Sequence, residues 1–190
     1  MKKIFALLLI IFIGIFAGSL YGILHDEFTY SISPEYYTKY KFPMFGLEYD
    51  TSMHDVRLLV AATGVNATWW VGLAAGLLFG LVSLIHKDWK AMLGISLKAM
   101  QIMLTIAAAV GLIGLGVGWL TRRNAAYAAP AWDGINILAD PEAFHMVGTM
   151  HNFSYIGGAI GIIVGTAYII RKKRKVTIVE TEEETPIREI

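Results

Sequence analysis

Four long apolar runs, separated by polar breaks, set the pattern of this chain. They cover residues 4–24, 56–85, 92–120 and 146–170. A helix rises about 1.5 Å per residue, so about 20 apolar residues cross the roughly 30 Å hydrocarbon core of a bilayer. Each run is long enough to do so. Backbone polar groups in lipid must be paired within the chain, which favours helices. The pattern therefore predicts an all-α membrane protein, a single four-helix transmembrane bundle over residues 1–170. The second run is long for one span and predicts tilt or extension beyond the bilayer. In the first run, Ala17-Gly18-Ser19 has the small residues of a signal-peptide cleavage site. The run continues through Leu24, so an uncleaved anchor is expected.

The polar breaks differ in kind. Residues 25–55 are rich in tyrosine, phenylalanine and carboxylates, and Pro34 and Pro43 divide them. Ser33 followed by Pro34 predicts the start of a short helix reaching Tyr40, with Ser33 as its N-cap. Amphipathic rings favour the headgroup level, so this segment is expected to cap the bundle. Residues 86–90 read as a short turn containing His86. Residues 121–145 read as a loop with Pro130, Gly134 and Pro141. Residues 171–190 open with RKKRK and continue as a polar, acidic tail, expected to lack fixed structure.

Lysine and arginine near span ends set orientation. Lys2, Lys3, Lys87, Lys90 and the basic run 171–175 fall on one side of a four-span topology. Lys39, Lys41, Arg57, Arg122 and Arg123 fall on the other, spread over more residues. The bias places both termini in the cytoplasm and residues 25–55 and 121–145 outside it.

Composition agrees with lipid as the solvent. The 190 residues are 56% hydrophobic and 16% charged, against about 45–50% and about 25% in soluble domains. The chain has no cysteine, which excludes disulfides, zinc–thiolate sites and cysteine nucleophiles. A net charge of +1 gives no reason to expect nucleic acid as a partner. No phosphate-binding loop, dinucleotide fingerprint or serine nucleophile elbow is present. The lipid bilayer is the expected partner, with a homo-oligomer or a larger membrane complex as further possibilities.

Glycines recur four apart on the later spans: Gly72, Gly76 and Gly80; Gly114 and Gly118; Gly157, Gly161 and Gly165. Residues four apart share a helix face, and glycine lets backbones approach closely. These lines predict helix–helix seams, within one bundle or between subunits.

Histidine carries the candidate chemistry. Of five histidines, His25, His54, His145 and His151 map to the outer side, on three different helices. Asp26, Glu35 and Glu142 accompany them. Imidazole and carboxylate together suit iron, zinc, manganese or copper(II). Glu142 and His145 have the Glu-x-x-His spacing of di-iron bundles, in a single copy. His151 lies about a turn inside the fourth span, where polar groups are costly and often functional. Tyr36, Arg57, Asn152 and Tyr155 are the expected supporting residues. The expectation is a His/carboxylate metal site of redox or hydrolytic character, with ligands drawn from His25, Asp26, Glu35, His54, Glu142, His145 and His151. A b-type haem held by His25 or His54 opposite His151 is an alternative. A non-catalytic partner subunit and a small transporter are the others.

Residues 21–42, YGILHDEFTYSISPEYYTKYKF, resemble a segment of bacterial multi-pass membrane proteins with the pattern YG-x-x-HD-x-x-T followed by an EYF-like triplet. Tyr37 stands where that triplet has phenylalanine. The resemblance implies a bacterial cytoplasmic (inner) membrane and brings no activity with it.

Overall fold

A computed structural model describes residues 1–48, 55–124 and 138–183, with side chains on the last stretch to Lys173. Four helices are long and apolar enough to cross a membrane. They are α1 (Lys2–Tyr30), α4 (Val56–Val82, extended by a 3-10 turn to Ile85), α5 (Trp89–Thr121) and α6 (Pro141–Glu183). Between α1 and α4 lie two short helices, α2 (Pro34–Tyr36) and α3 (Phe42–Met44), joined by a π-helical turn (Tyr37–Lys41).

The long helices form two tight antiparallel pairs, α1 with α4 and α5 with α6. Both pairs close on glycine. Gly22 and Gly64 meet backbone to backbone, and a Cβ on Gly22 would collide with the Gly64 carbonyl and the Thr68 hydroxyl. In lipid, apolar burial gives little preference for helix–helix over helix–lipid contact. Close backbone packing supplies the attraction instead. All eight of the predicted seam glycines lie against a neighbouring helix of the same chain: Gly72, Gly76 and Gly80 against α1, Gly114 and Gly118 against α6, Gly157 and Gly161 against α5, and Gly165 against both Phe79 and Ala99.

The first span has a ladder of its own, Gly14, Gly18 and Gly22, which pairs with that of α4. It belongs to a buried stripe of α1: Ala6, Ile10, Gly14, Gly18, Gly22 and Asp26. Steps of four residues drift about 40° each around a 3.6-residue helix, so the stripe slants. Ala6 and Ile10 pack on Met92 of α5. The glycines face α4. Asp26 reaches α6.

Two apolar clusters bracket the middle of the bundle. Ala75, Phe79, Ala99, Met100, Met103 and Ile169 pack toward the end that holds the N-terminus. Tyr36, Tyr37, Phe42, Val60 and Val147 form an aromatic cap at the opposite end. The cap departs from the expected short helix. Residues 34–44 stay helical through Pro43 because the turn widens to π geometry ahead of it. Proline has no N–H to bond the preceding turn, and the wider turn accommodates that loss. Ser33 takes the N-cap position but its side chain makes no capping bond. The segment ends in a Schellman turn: Leu47 N–H bonds Phe42 O at 2.9 Å, Gly46 N–H bonds Pro43 O at 3.1 Å, and Gly46 has φ of 65°.

At the other end, His86 is buried rather than exposed in a plain turn. Asp88 caps α5 by accepting from Lys90 N (2.8 Å) and Ala91 N (3.0 Å). Lys3 Nζ donates to the carbonyls of His86 (2.7 Å) and Leu84 (3.2 Å), tying the start of α1 to the α4–α5 turn.

Candidate metal centre

α1 continues beyond Leu24 to Tyr30, so His25 and Asp26 are helical residues rather than the start of a loop. Thr29 helps to hold this last turn. Its hydroxyl donates to the His25 carbonyl at 2.9 Å and shares a 2.6 Å contact with the Tyr37 hydroxyl of the cap. On α6, His151 lies on the buried face with Val147, Ser154 and Gly157. Asp26 and His151 meet between the two helix pairs, beneath the aromatic cap.

Asp26 Oδ1 lies 3.2 Å from His151 Nε2 and 3.3 Å from His25 Nδ1. The two imidazoles meet edge to face, with ring centroids 4.5 Å apart. One donor atom from each of His25, Asp26 and His151 falls within 4.8 Å of the others. Their side chains are at most 7% exposed. Among the described residues this is the one group of three or more His, Asp or Glu side chains able to hold a metal ion.

The hydrogen bonding is incomplete in an informative way. His151 Nδ1 is 2.9 Å from the Val147 carbonyl, which can only accept, so Nδ1 carries the proton. In a neutral ring Nε2 is then a lone pair facing a carboxylate oxygen. An imidazolium that donates to the carboxylate, a protonated carboxyl that donates to Nε2, or a cation held between the two atoms each satisfies the contact. His25 Nε2 and Asp26 Oδ2 are buried with no partner at all. Metal-bound histidines commonly donate their second N–H to a backbone carbonyl, which fixes the ring, as His151 does here. Two ligands at about 2.1 Å from one ion, at right angles, lie about 3.0 Å apart. The 3.2 and 3.3 Å separations are those of hydrogen bonds and are also close to that spacing.

Aromatic and polar side chains enclose the group. The Tyr36 ring lies 4.9 Å from His151 and that of Tyr155 lies 6.5 Å away. Tyr21 is 5.8 Å from His25, and its hydroxyl shares a 2.6 Å bond with Ser154. Lys41 is 2% exposed, and its Nζ donates to the Tyr155 hydroxyl at 3.3 Å. Burial lowers the Lys41 pKa, and the negative charge of Asp26 works against that shift.

The other candidate residues go elsewhere. Glu35 accepts from Ala139 N (3.0 Å) and Asp140 N (2.8 Å) and pairs with Lys39 (2.5 Å). Both its oxygens are engaged, so it latches the cap to the start of α6. Glu142 pairs with Arg122 at 3.1 Å, and His145 Nε2 shares a 2.9 Å bond with the Thr121 hydroxyl. The Glu-x-x-His pair is thus divided between two partners on α5 and the turn after it. Arg57 binds Glu27 at 2.6 Å and packs on the Tyr30 ring. Asn152 faces outward. His54 lies outside the described residues. For haem, the edge-to-face contact of His25 and His151 leaves no slot for a macrocycle between them.

Sequence reasoning missed Lys41, Tyr21, Thr29 and Ser154. Ser154 had a usable signal, since it continues a line of buried glycines on its helix. Lys41 had none, because its inward direction comes from the π turn. Compared with known protein families, curated proteins and solved structures, the chain matches none.

Proposed function

We propose that this is an integral membrane protein whose function centres on a divalent first-row metal ion held by His25, Asp26 and His151. The observation that carries this reading is the convergence of His25, Asp26 and His151, with one donor atom of each within 4.8 Å of the others, in a buried position where His25 Nε2 and Asp26 Oδ2 have no hydrogen-bond partner. Two histidines and one carboxylate are the donor set of non-haem iron(II) centres, so iron(II) is the first choice. Zinc, manganese and copper(II) are the others the donors suit. Three protein ligands leave coordination positions open, the mark of a reactive rather than a purely structural site. A bound ion there supplies Lewis-acid or redox chemistry. The chain's own part is to hold the ligands through Val147 and Thr29, to shield them with Tyr36 and Tyr37, and to set the local charge with Lys41.

The positive-charge bias supports cytoplasmic termini and a site near the extracytoplasmic face. The resemblance of residues 21–42 to bacterial multi-pass membrane proteins supports a bacterial inner membrane as its location.

One second reading has an observation behind it. Lys41 is buried and donates to Tyr155 beside His151, which places a positive charge near Asp26, so the cluster could be a metal-free ion network that binds or relays a proton. Cobalt(II) separates the two. Chelator-stripped protein in detergent should bind one cobalt(II) per chain, with visible absorption bands. His25→Ala, Asp26→Asn and His151→Ala should each weaken binding at least about tenfold, since even indirect supporting residues cost that much. Equal cobalt binding by the triple variant would overturn the metal reading.

A further inference from the structure

A cavity of about 480 Å³ opens beside the three ligands, between the α1/α4 pair and the α5/α6 pair. All four long helices line it. Its walls are small or apolar: Gly18 and Gly22, Ala67 and Val71, Met103 and Ala107, Gly158 and Ile162. His25, Asp26 and His151 lie at one end, with Tyr21, Ser154 and Tyr155 nearby. Trp70 and Tyr155 line it and are 56% and 51% exposed. The cavity is therefore open rather than sealed, and it reaches the polar group at one end.

The unpartnered atoms give its occupant a chemistry. Asp26 Oδ2 is an acceptor with nothing to accept from, and His25 Nε2 is a ring nitrogen with no partner. Their side chains are 4% and 7% exposed, and both residues line the cavity. A hydroxyl answers both needs, since it can donate to the carboxylate and meet the ring nitrogen. The volume falls within the range of pockets that take small organic ligands, about 300–1,000 Å³. Gly18 to Asp26 covers about 12 Å of helix, enough for a substantial length of hydrocarbon.

We infer that this cavity is the substrate chamber of the centre, and that it takes a membrane-dissolved amphiphile with an apolar chain and a hydroxyl head. The inference rests on the reading of His25, Asp26 and His151 as the functional group, though not on which ion they hold. The chain lies along the glycine and alanine walls, and the hydroxyl lies against Asp26 and His25.

The test uses full-length protein in nanodiscs, with ω-bromoundecanol as the probe and tryptophan fluorescence as the readout. Bromine quenches a nearby indole, and Trp70 lines the cavity. Saturable quenching is expected, and Trp70→Phe should remove most of it. Bromoundecane, which lacks the hydroxyl, should bind about tenfold more weakly, the cost of hydrogen bonds to a charged group. Gly158 lines the cavity and a Cβ there meets nothing within 4 Å, so Gly158→Leu fills the space without breaking a seam. It should abolish saturable quenching. Gly116 is equally open but does not line the cavity, so Gly116→Leu should leave quenching unchanged. Equal quenching by bromoundecane, by brominated phosphatidylcholine or in Gly158→Leu would overturn the inference and leave ordinary bilayer lipid as the occupant. Metal content measured on the same samples keeps the two readings apart. Metal without saturable quenching defeats the chamber alone, whereas hydroxyl-dependent quenching without metal upholds the chamber and defeats the metal.

Discussion

At His151 the positions of two nitrogens decide the chemistry. Nδ1 is committed to the Val147 carbonyl, which leaves Nε2 and Asp26 Oδ1 facing each other at 3.2 Å. A metal ion resolves that contact, and so does an imidazolium paired with the carboxylate. Lys41→Met separates a metal from a metal-free network in which Lys41, rather than an imidazolium, is the counter-charge of Asp26. With a metal in place, removing a nearby like charge should leave binding intact or stronger, with stability close to wild type in cobalt titrations and thermal scans. In a metal-free network the change leaves Asp26 short of a counter-charge. Breaking a buried pair in that way costs about 3–5 kcal/mol. Residue-level prediction from sequence placed His25, Asp26 and His151 among seven candidates but could not choose among them. The choice depends on local competition at helix ends. Glu35 finds two backbone N–H groups, Glu142 finds Arg122, and His145 finds Thr121. Asp26 and His151 lie deeper, where each other is the available partner.

The four-residue periodicity of α1 explains why Asp26 lies on the buried side of that helix. Ala6, Ile10, Gly14, Gly18, Gly22 and Asp26 form one slanting line, and the glycines bring α1 against α4. Asp26 is carried into the bundle by the same repeat. This was legible in the sequence once the first span was included among the glycine-bearing helices. The π turn that buries Lys41 was not legible, because no local pattern announces a wider turn apart from Pro43 that follows it. Gly22→Leu tests the seam. Overpacking typically costs 1–3 kcal/mol. Here the added side chain meets backbone, so a loss at or above the upper end, about 3 kcal/mol, is expected in reversible detergent unfolding. Gly94, where a Cβ meets nothing within 4 Å, is the control. Gly94→Leu should leave stability within about 0.5 kcal/mol, as for surface changes that touch nothing.

Across the whole molecule, the cap and the bundle are joined by Glu35. Partial burial opposes its ionisation, but bonds from Lys39 and from the N–H groups of Ala139 and Asp140 outweigh this and hold its carboxyl below the usual range. A depressed carboxyl contributes stability above its unfolded pKa, and that contribution fades as pH falls through the folded one. Thermal stability of the wild type should therefore fall from about pH 5 downward. Glu35→Gln should be less stable at neutral pH and should lack that part of the acid dependence. Orientation is testable at the same scale, because the chain has no cysteine to interfere. In intact cells, a membrane-impermeant thiol reagent should label Lys39→Cys and spare Lys87→Cys. The reverse pattern would invert the topology and move the His/Asp group to the cytoplasmic side.

The most direct measurement is elemental analysis of protein purified without chelators, comparing wild type with His151→Ala and His145→Ala, each shown to be folded by circular dichroism. A centre at His25, Asp26 and His151 predicts about one first-row metal per chain in wild type and in His145→Ala, and loss of that metal in His151→Ala. Folded wild-type protein with no metal, or metal retained in His151→Ala and lost in His145→Ala, would contradict it.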